Sequence, residues 1–187
     1  MSNRFYDPYA VIETDRLFLC ILQKTDAAAI FHNINHDKEV LKYYLAPYIE
    51  KEEDASVDST VDFCERTGRY AFAILLKETE EVIGMLNQCS APNVYMHNVE
   101  LGYAIGRKYW NQGYTSEALY AAIQFFFAKG IHKITCSAIT ENAASIRVME
   151  KCGMVYEGLQ REQLYWHEKY WDTVTYYLTP ELFHVKH

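Results

Sequence analysis

The spacing of hydrophobic positions changes along the chain, and each change marks an element. Val11 to Leu22 (VIETDRLFLCIL) is apolar and β-branched enough for a first strand, and Thr25 and Asp26 then supply the N-cap signal of a helix over Ala27 to Asn33. A second helical stretch starts at Asp37, Glu50 to Asp54 reads as a surface turn, and Ala55 to Thr67 is amphipathic and ends near Gly68. Three strand-like runs follow, Tyr70 to Leu76, Val82 to Gln88 and Val99 to Ile105. Lys77 to Glu81 joins the first two at hairpin length, and Cys89 to Asn98, with Pro92, Asn93 and Asn98, makes a longer loop. An antiparallel meander is expected.

From Thr115 the period lengthens. Leu119, Ala122, Ile123 and Phe126 fall at i, i+3, i+4 and i+7, and Gly130 stands just past the end, which predicts a helix of about four turns. Ile131 to Ala138 has strand length, so strand, helix and strand form a right-handed crossover with parallel outer strands. A further helix runs from about Asn142 to Cys152 and stops at Gly153, and Leu159 to Trp166 and Tyr170 to Leu178 reverse around His167 to Lys169. The whole is a mixed sheet flanked by helices.

With 187 residues, no solenoid repeat and no Ser/Gly linker, one domain over 1–187 is expected. Hydrophobic residues at 50% and charged residues at 23% describe a folded globular chain. The net charge of −7 disfavours nucleic acid and anionic membranes while leaving a cationic ligand welcome. Five widely spaced cysteines with no C-x-x-C pair suggest neither a disulfide framework nor a zinc knuckle. Met1 to Ala10 carries no apolar h-region and no stretch reaches membrane-span length, so a cytoplasmic location is expected.

Two segments carry candidate chemistry. Arg107 to Leu119 (RKYWNQGYTSEAL) lies between a strand end and a helix start, where unpaired N–H groups and the absence of a Cβ at Gly113 suit an anion. Asn111 tolerates a left-handed backbone, and Arg107 and Lys108 add positive charge, although an ordinary loop and a capped helix share this pattern. Thr140 to Met154 (TENAASIRVMEKCGM) opens a helix directly after the parallel partner strand, so Asn142 and Ser145 face the same cleft.

At these residues the chain resembles the GNAT superfamily of acyl-CoA N-acyltransferases, specifically the RimJ/RimL-like branch of ribosomal-protein-alanine N-acetyltransferases. The likeness runs in order through ETDRL, VELGYAI, WNQGYTSEAL and NAASIRVMEKCGM to YEG and WDTVTYYL, nearly the whole chain. It implies an α/β (α+β) fold: a mixed, mostly antiparallel sheet with a central splayed parallel pair and flanking helices. It also implies acetyl-CoA as acyl donor, a primary amine as acceptor, either a protein N-terminal α-amine or a small molecule, and direct attack in a ternary complex with no acylated cysteine. The family's Q/R-x-x-G-x-G/A pyrophosphate loop falls on Trp110 to Thr115, with Trp110 and Thr115 departing from the pattern. The resemblance assigns pyrophosphate binding to the backbone of Gln112, Gly113, Tyr114, Thr115 and Ser116, and pantetheine contacts to the main chain of Tyr103, Ala104 and Ile105 and to Asn142. Lys151 either touches the cofactor edge or caps its helix electrostatically.

The same resemblance gives the catalytic candidates. Acceptor amines of pKa about 8 to 10.4 are mostly protonated at neutral pH and must lose a proton before attack, and Glu100 matches the branch's glutamate base. Its plain alternatives are a solvent-facing strand carboxylate or a partner for Arg16 or Arg107. Many relatives place a tyrosine acid where this chain has Met149, so Ser145 is the acid candidate, with a first-turn helix hydroxyl as the alternative. A backbone N–H near Leu101 to Tyr103 would meet the oxyanion. Glu100 and Ser145 are what separates this reading from a CoA-binding sensor or interaction module without turnover.

Other features have ordinary readings beside functional ones. His32 and His36 have metal-compatible spacing without a zincin glutamate, so no metal is assigned. The aromatics Tyr165, Trp166, Tyr170, Trp171, Tyr176 and Tyr177 suit hairpin packing, a substrate wall or a dimer contact, and both monomer and homodimer fit. Asp172 suits either a substrate ammonium or a structural role, and Cys20 stands where relatives often carry an arginine.

Overall fold

The computed structural model describes residues 9–90 and 97–186. The expected first strand is instead a hairpin of β1 (Val11–Glu13) and β2 (Leu17–Ile21), with Val11 opposite Cys20. The polar Thr14-Asp15-Arg16 tripeptide makes the turn: Thr14 N–H donates to the Leu17 carbonyl at 3.0 Å, and its hydroxyl oxygen accepts from Leu17 N–H at 2.9 Å. Helix α1 (Ala27–Ile30) continues into a wider π turn over Phe31–Asn35, and α2 (Lys38–Leu41) is capped by Asp37 accepting from Glu39 N–H at 2.9 Å. Helix α3 (Asp58–Thr67) ends at Gly68, as expected.

Strands β3 (Ala71–Leu76), β4 (Val82–Gln88) and β5 (Asn98–Ile105) form the anticipated meander. Of the loop expected from Cys89 to Asn98, residues 91–96 lie outside the described residues. Then come α4 (Tyr114–Ala128), β6 (Lys133–Ile139), α5 (Ala143–Lys151), β7 (Val155–Trp166) and β8 (Lys169–Leu178). A last helix, α6 (Pro180–Lys186), was not expected; Pro180 occupies its first position, where a missing N–H costs nothing.

The eight strands lie in the order β1-β2-β3-β4-β5-β6-β8-β7, antiparallel except for β5 and β6. Each face buries its own core, and strand alternation divides the side chains between them. Phe72, Ile74, Ile83, Leu86, Leu101 and Ile134 pack with Leu119, Ile123 and Phe126 of α4 and Met149 of α5. Ala71, Ala73, Met85 and Ala104 pack under Ile30, Val40 and Val61 of the first three helices and Ile34 of the π turn. The central strands therefore have two covered faces, and a ligand can reach the middle of the sheet only where two strands part.

Candidate active site

That parting lies between β5 and β6. The two are paired only at Asn98/Lys133, Val99/Ile134 and Glu100/Thr135, yet β5 runs on to Ile105 and β6 to Ile139. Beyond Glu100 the second edge of β5 has no ladder partner. Glu100 bonds toward β4, its N–H donating to Ser90 Oγ at 2.7 Å and its carbonyl accepting from Cys89 N–H at 2.7 Å, and Gly106 N–H donates to Ile83 O at 2.9 Å. By alternation, the peptide groups of Leu101, Tyr103 and Ile105 face the gap. Leu101 N–H meets the sulfur of Cys136, and the Ile105 carbonyl accepts the Trp110 indole N–H at 2.9 Å. Trp110 thus closes the end of the open edge, and the peptide group of Tyr103 is left at its centre.

Two helix starts converge on this gap. Asn111 (φ 60°) and Gly113 (φ 83°) are both left-handed and bend the chain into α4. The first turn leaves the N–H groups of Tyr114, Thr115 and Ser116 without intrahelical acceptors. Arg16 braces the loop from outside: it donates from Nη1 to the Gln112 carbonyl at 3.0 Å, lies 4.4 Å from the centre of the Tyr114 ring, and pairs with Glu117 at 2.6 Å. Gln112 ties back through its side-chain amide to the Lys108 carbonyl at 2.9 Å. At the second start Asn142 is the N-cap of α5, accepting from Ser145 N–H at 3.1 Å.

Gap and helix starts open into one cavity of about 960 Å³. Glu100, Tyr103, Ala104 and Ile105 line it, as do Gly113, Thr115, Ser116, Asn142, Ser145 and Lys151; the side chains of Gln112 and Tyr114 brace the loop instead. Arg147, which sequence reasoning did not single out, also lines it, one turn before Lys151 on α5. Their i, i+4 spacing was the available signal.

Tyr103 projects toward α5, where its hydroxyl lies 2.9 Å from Ser145 Oγ and 3.3 Å from the Ser145 carbonyl. Burial pushes its phenol well above the ordinary value, so it stays protonated. Met149 is fully buried and brings no hydroxyl.

Glu100 belongs to the opposite face of the sheet. Arg16 pairs with Glu117 and Arg107 with Asp37 at 2.9 Å, so among the described residues neither arginine neutralises it. The cavity that Glu100 lines also carries neutral polar groups. Ser137 Oγ is 3.0 Å from Thr175 Oγ1, which accepts from Gln160 Nε2 at 3.0 Å, and Thr173 donates to Gln160 Oε1 at 3.2 Å. Cys89 also lines this side; the protein packed around its sulfur, with the Glu100 charge, raises its thiol to about 11.

The remaining candidates have structural partners. His32 pairs with Glu52 at 3.0 Å, and His36 Nδ1 contacts the Ile49 carbonyl at 2.9 Å. Asp172 accepts from Arg161 and from Glu162 N–H. Tyr165 and Tyr170 pack across the hairpin at 5.0 Å, and Trp171 meets Tyr43 edge-on.

Sequence comparison gives a class to this sheet, split between two antiparallel blocks with helix starts at the split. The acetyltransferase (GNAT) domain family matches residues 16–155, and the chain belongs to that family and is an acetyltransferase. Among curated proteins, the N-acetyltransferase YoaA of Bacillus subtilis is 29% identical over 171 residues, 90% of this chain and 96% of its own length. A GNAT acetyltransferase structure from Bacillus anthracis superimposes with a TM-score of 0.77 at 28% identity, covering 92% of this chain and 99% of that one. The ribosomal-protein α-N-acetyltransferase RimL, solved with coenzyme A, shares the fold with a TM-score of 0.80 at 18% identity, over 91% of this chain and 98% of its own.

Proposed function

We propose that this enzyme transfers the acetyl group of acetyl-CoA to a primary amine by direct attack in a ternary complex. The parting of β5 from β6 beyond Glu100, with two helix starts at its mouth, carries the reading. The residues fit the donor. Free N–H groups at the start of α4 suit a diphosphate, with Arg147 and Lys151 lining the same cavity, and the unpaired Tyr103 carbonyl suits an amide-bearing arm laid along a strand edge. The fold neighbour RimL holds coenzyme A.

Glu100 takes the proton of the incoming ammonium, directly or through water, from the face opposite α5. The amine nitrogen then bonds to the acyl carbon while the developing oxyanion meets Tyr103 N–H, since Leu101 N–H faces Cys136. The C–S bond breaks with its electron pair on sulfur, the nitrogen releases its remaining surplus proton to water, and Ser145 offers its O–H to the departing sulfur. A covalent route through Cys89 is disfavoured, because its surroundings and the Glu100 charge raise its thiol to about 11 and so hold it protonated at neutral pH.

The acceptor wall is mostly neutral hydroxyls and amides, with Glu39 and Glu100 as its carboxylates. This favours an amine with one positive charge on a polar body, such as a peptide N-terminus or a small polar amine, over a polyamine. Thiol release from acetyl-CoA across a panel of peptides, polyamines and aminoglycosides tests the proposal: amine-dependent release is expected, and no release with any acceptor would overturn it.

A further inference from the structure

The contact between Tyr103 and Ser145 joins residues 42 positions apart across the cofactor side of the cavity. Ser145 is the only hydroxyl residue of α5, and its N–H is already held by Asn142. A serine side chain at the start of a helix turns among its rotamers unless something holds it, and its hydroxyl carries one hydrogen and two lone pairs. Tyr103 Oη lies 2.9 Å from that hydroxyl oxygen, a contact in which either group can donate, and 3.3 Å from the Ser145 carbonyl, so the phenol's single hydrogen has the serine Oγ as its nearer acceptor.

We propose that Tyr103 is a positioning residue: its hydroxyl donates to Ser145 Oγ and so directs the serine's own O–H at the departing sulfur. This rests on the reading of Ser145 given above. Tyr103 transfers no proton. The C–N bond forms, the C–S bond breaks with its electron pair on sulfur, and the nitrogen gives its second proton to solvent as the amide forms; the thiolate accepts a hydrogen bond from Ser145 and is protonated by solvent after release. Burial keeps the phenol protonated, so it remains available as a donor throughout the neutral range. The Tyr103 peptide group and side chain thereby serve the two ends of the breaking bond, the first the acyl oxygen and the second, through Ser145, the sulfur.

The test is a double-mutant cycle read by thiol release at saturating amine, with Tyr103→Phe, Ser145→Ala and the pair. Tyr103→Phe keeps the ring and removes only the hydroxyl. It is expected to lower kcat roughly five- to tenfold, the worth of one neutral hydrogen bond, with KM for acetyl-CoA within about twofold. In the Ser145→Ala background the same change is expected to cost nothing further, whereas Ser145→Thr, which restores a hydroxyl, should restore the sensitivity. An equal loss in the Ser145→Ala background would show a merely structural role and overturn the proposal. So would wild-type activity of Tyr103→Phe beside an impaired Ser145→Ala, which would leave the role of Ser145 standing. Full activity of Ser145→Ala would remove both.

Discussion

Glu117→Gln probes how the diphosphate loop is held. Glu117 accepts from Thr14 Oγ1 at 2.6 Å and Arg16 N–H at 2.9 Å through one oxygen, and from Arg16 Nε at 2.7 Å and Nη2 at 2.6 Å through the other. Glutamine can keep the first pair by placing its carbonyl there, but its NH2 then faces the guanidinium donors, and both charge-assisted bonds are lost. Such bonds contribute about 1.5–3 kcal/mol each when sheltered. Arg16 is 47% exposed, so solvent screening reduces the combined loss to about 1–2 kcal/mol. For a chain of this size that lowers Tm by about 3–6 °C. A released Arg16 also leaves the Gln112 carbonyl and the Tyr114 ring, so the loop must be ordered on binding, and KM for acetyl-CoA should rise roughly fivefold with kcat unchanged. Burial alone would raise the Glu117 carboxyl, but the bonds from Thr14 and Arg16 outweigh it and lower the pKa. A depressed folded-state pKa stabilises above the unfolded value of about 4.3 and ceases to as pH falls through the folded value, so wild-type and variant melting curves should converge as pH falls progressively below that range. Thermal melts from pH 7 to 3 and steady-state kinetics read both effects. An unchanged Tm and KM, or a fall in kcat alone, would refute the reasoning.

Glu100→Gln is expected to lower turnover by roughly 10²-fold or more while acetyl-CoA affinity by calorimetry stays at the wild-type value; unchanged turnover removes Glu100 from the chemistry. Arg147→Ala combined with Lys151→Ala should raise KM for acetyl-CoA and flatten its dependence on salt between 50 mM and 500 mM, roughly the range over which exposed charges become screened; identical salt profiles would place neither side chain at the donor. Gly84→Ala should lower Tm by several degrees, because an added Cβ would lie 2.4 Å from the Ala104 carbonyl oxygen and 2.8 Å from Ile105 Cα, both backbone atoms of β5. An unchanged melt would mean that β4 and β5 can separate freely at that point.

Local periodicity carried the crossover well: the Leu119-Ala122-Ile123-Phe126 stripe and a helix starting at about Asn142 are visible in short windows, and both helices stand where expected, with Asn142 as the N-cap. The β1–β2 hairpin was hidden because three polar residues inside an apolar run read as a tolerable interruption, and only pairing with β3 at Leu17 to Ile21 shows that the strand restarts. The π turn at Phe31 has no short sequence mark; it accompanies a buried Asn33 that donates to Ala29 O and, 49 residues away, to Val82 O. The same limit applies to the site. Arg16 with Glu117, and Tyr103 with Ser145, are contacts between residues 101 and 42 positions apart, created by packing rather than spacing. The resemblance pointed to ETDRL without a reason, and the Thr14 and Arg16 contacts to Glu117 now supply one.

The most direct measurement is the structure of the protein bound to coenzyme A. Diphosphate oxygens within hydrogen-bond distance of the N–H groups of Gln112 to Ser116, with the pantetheine arm along Tyr103 to Ile105, are the predicted result. Coenzyme A bound elsewhere, or β5 and β6 zipped together as far as Ile105, would contradict the account.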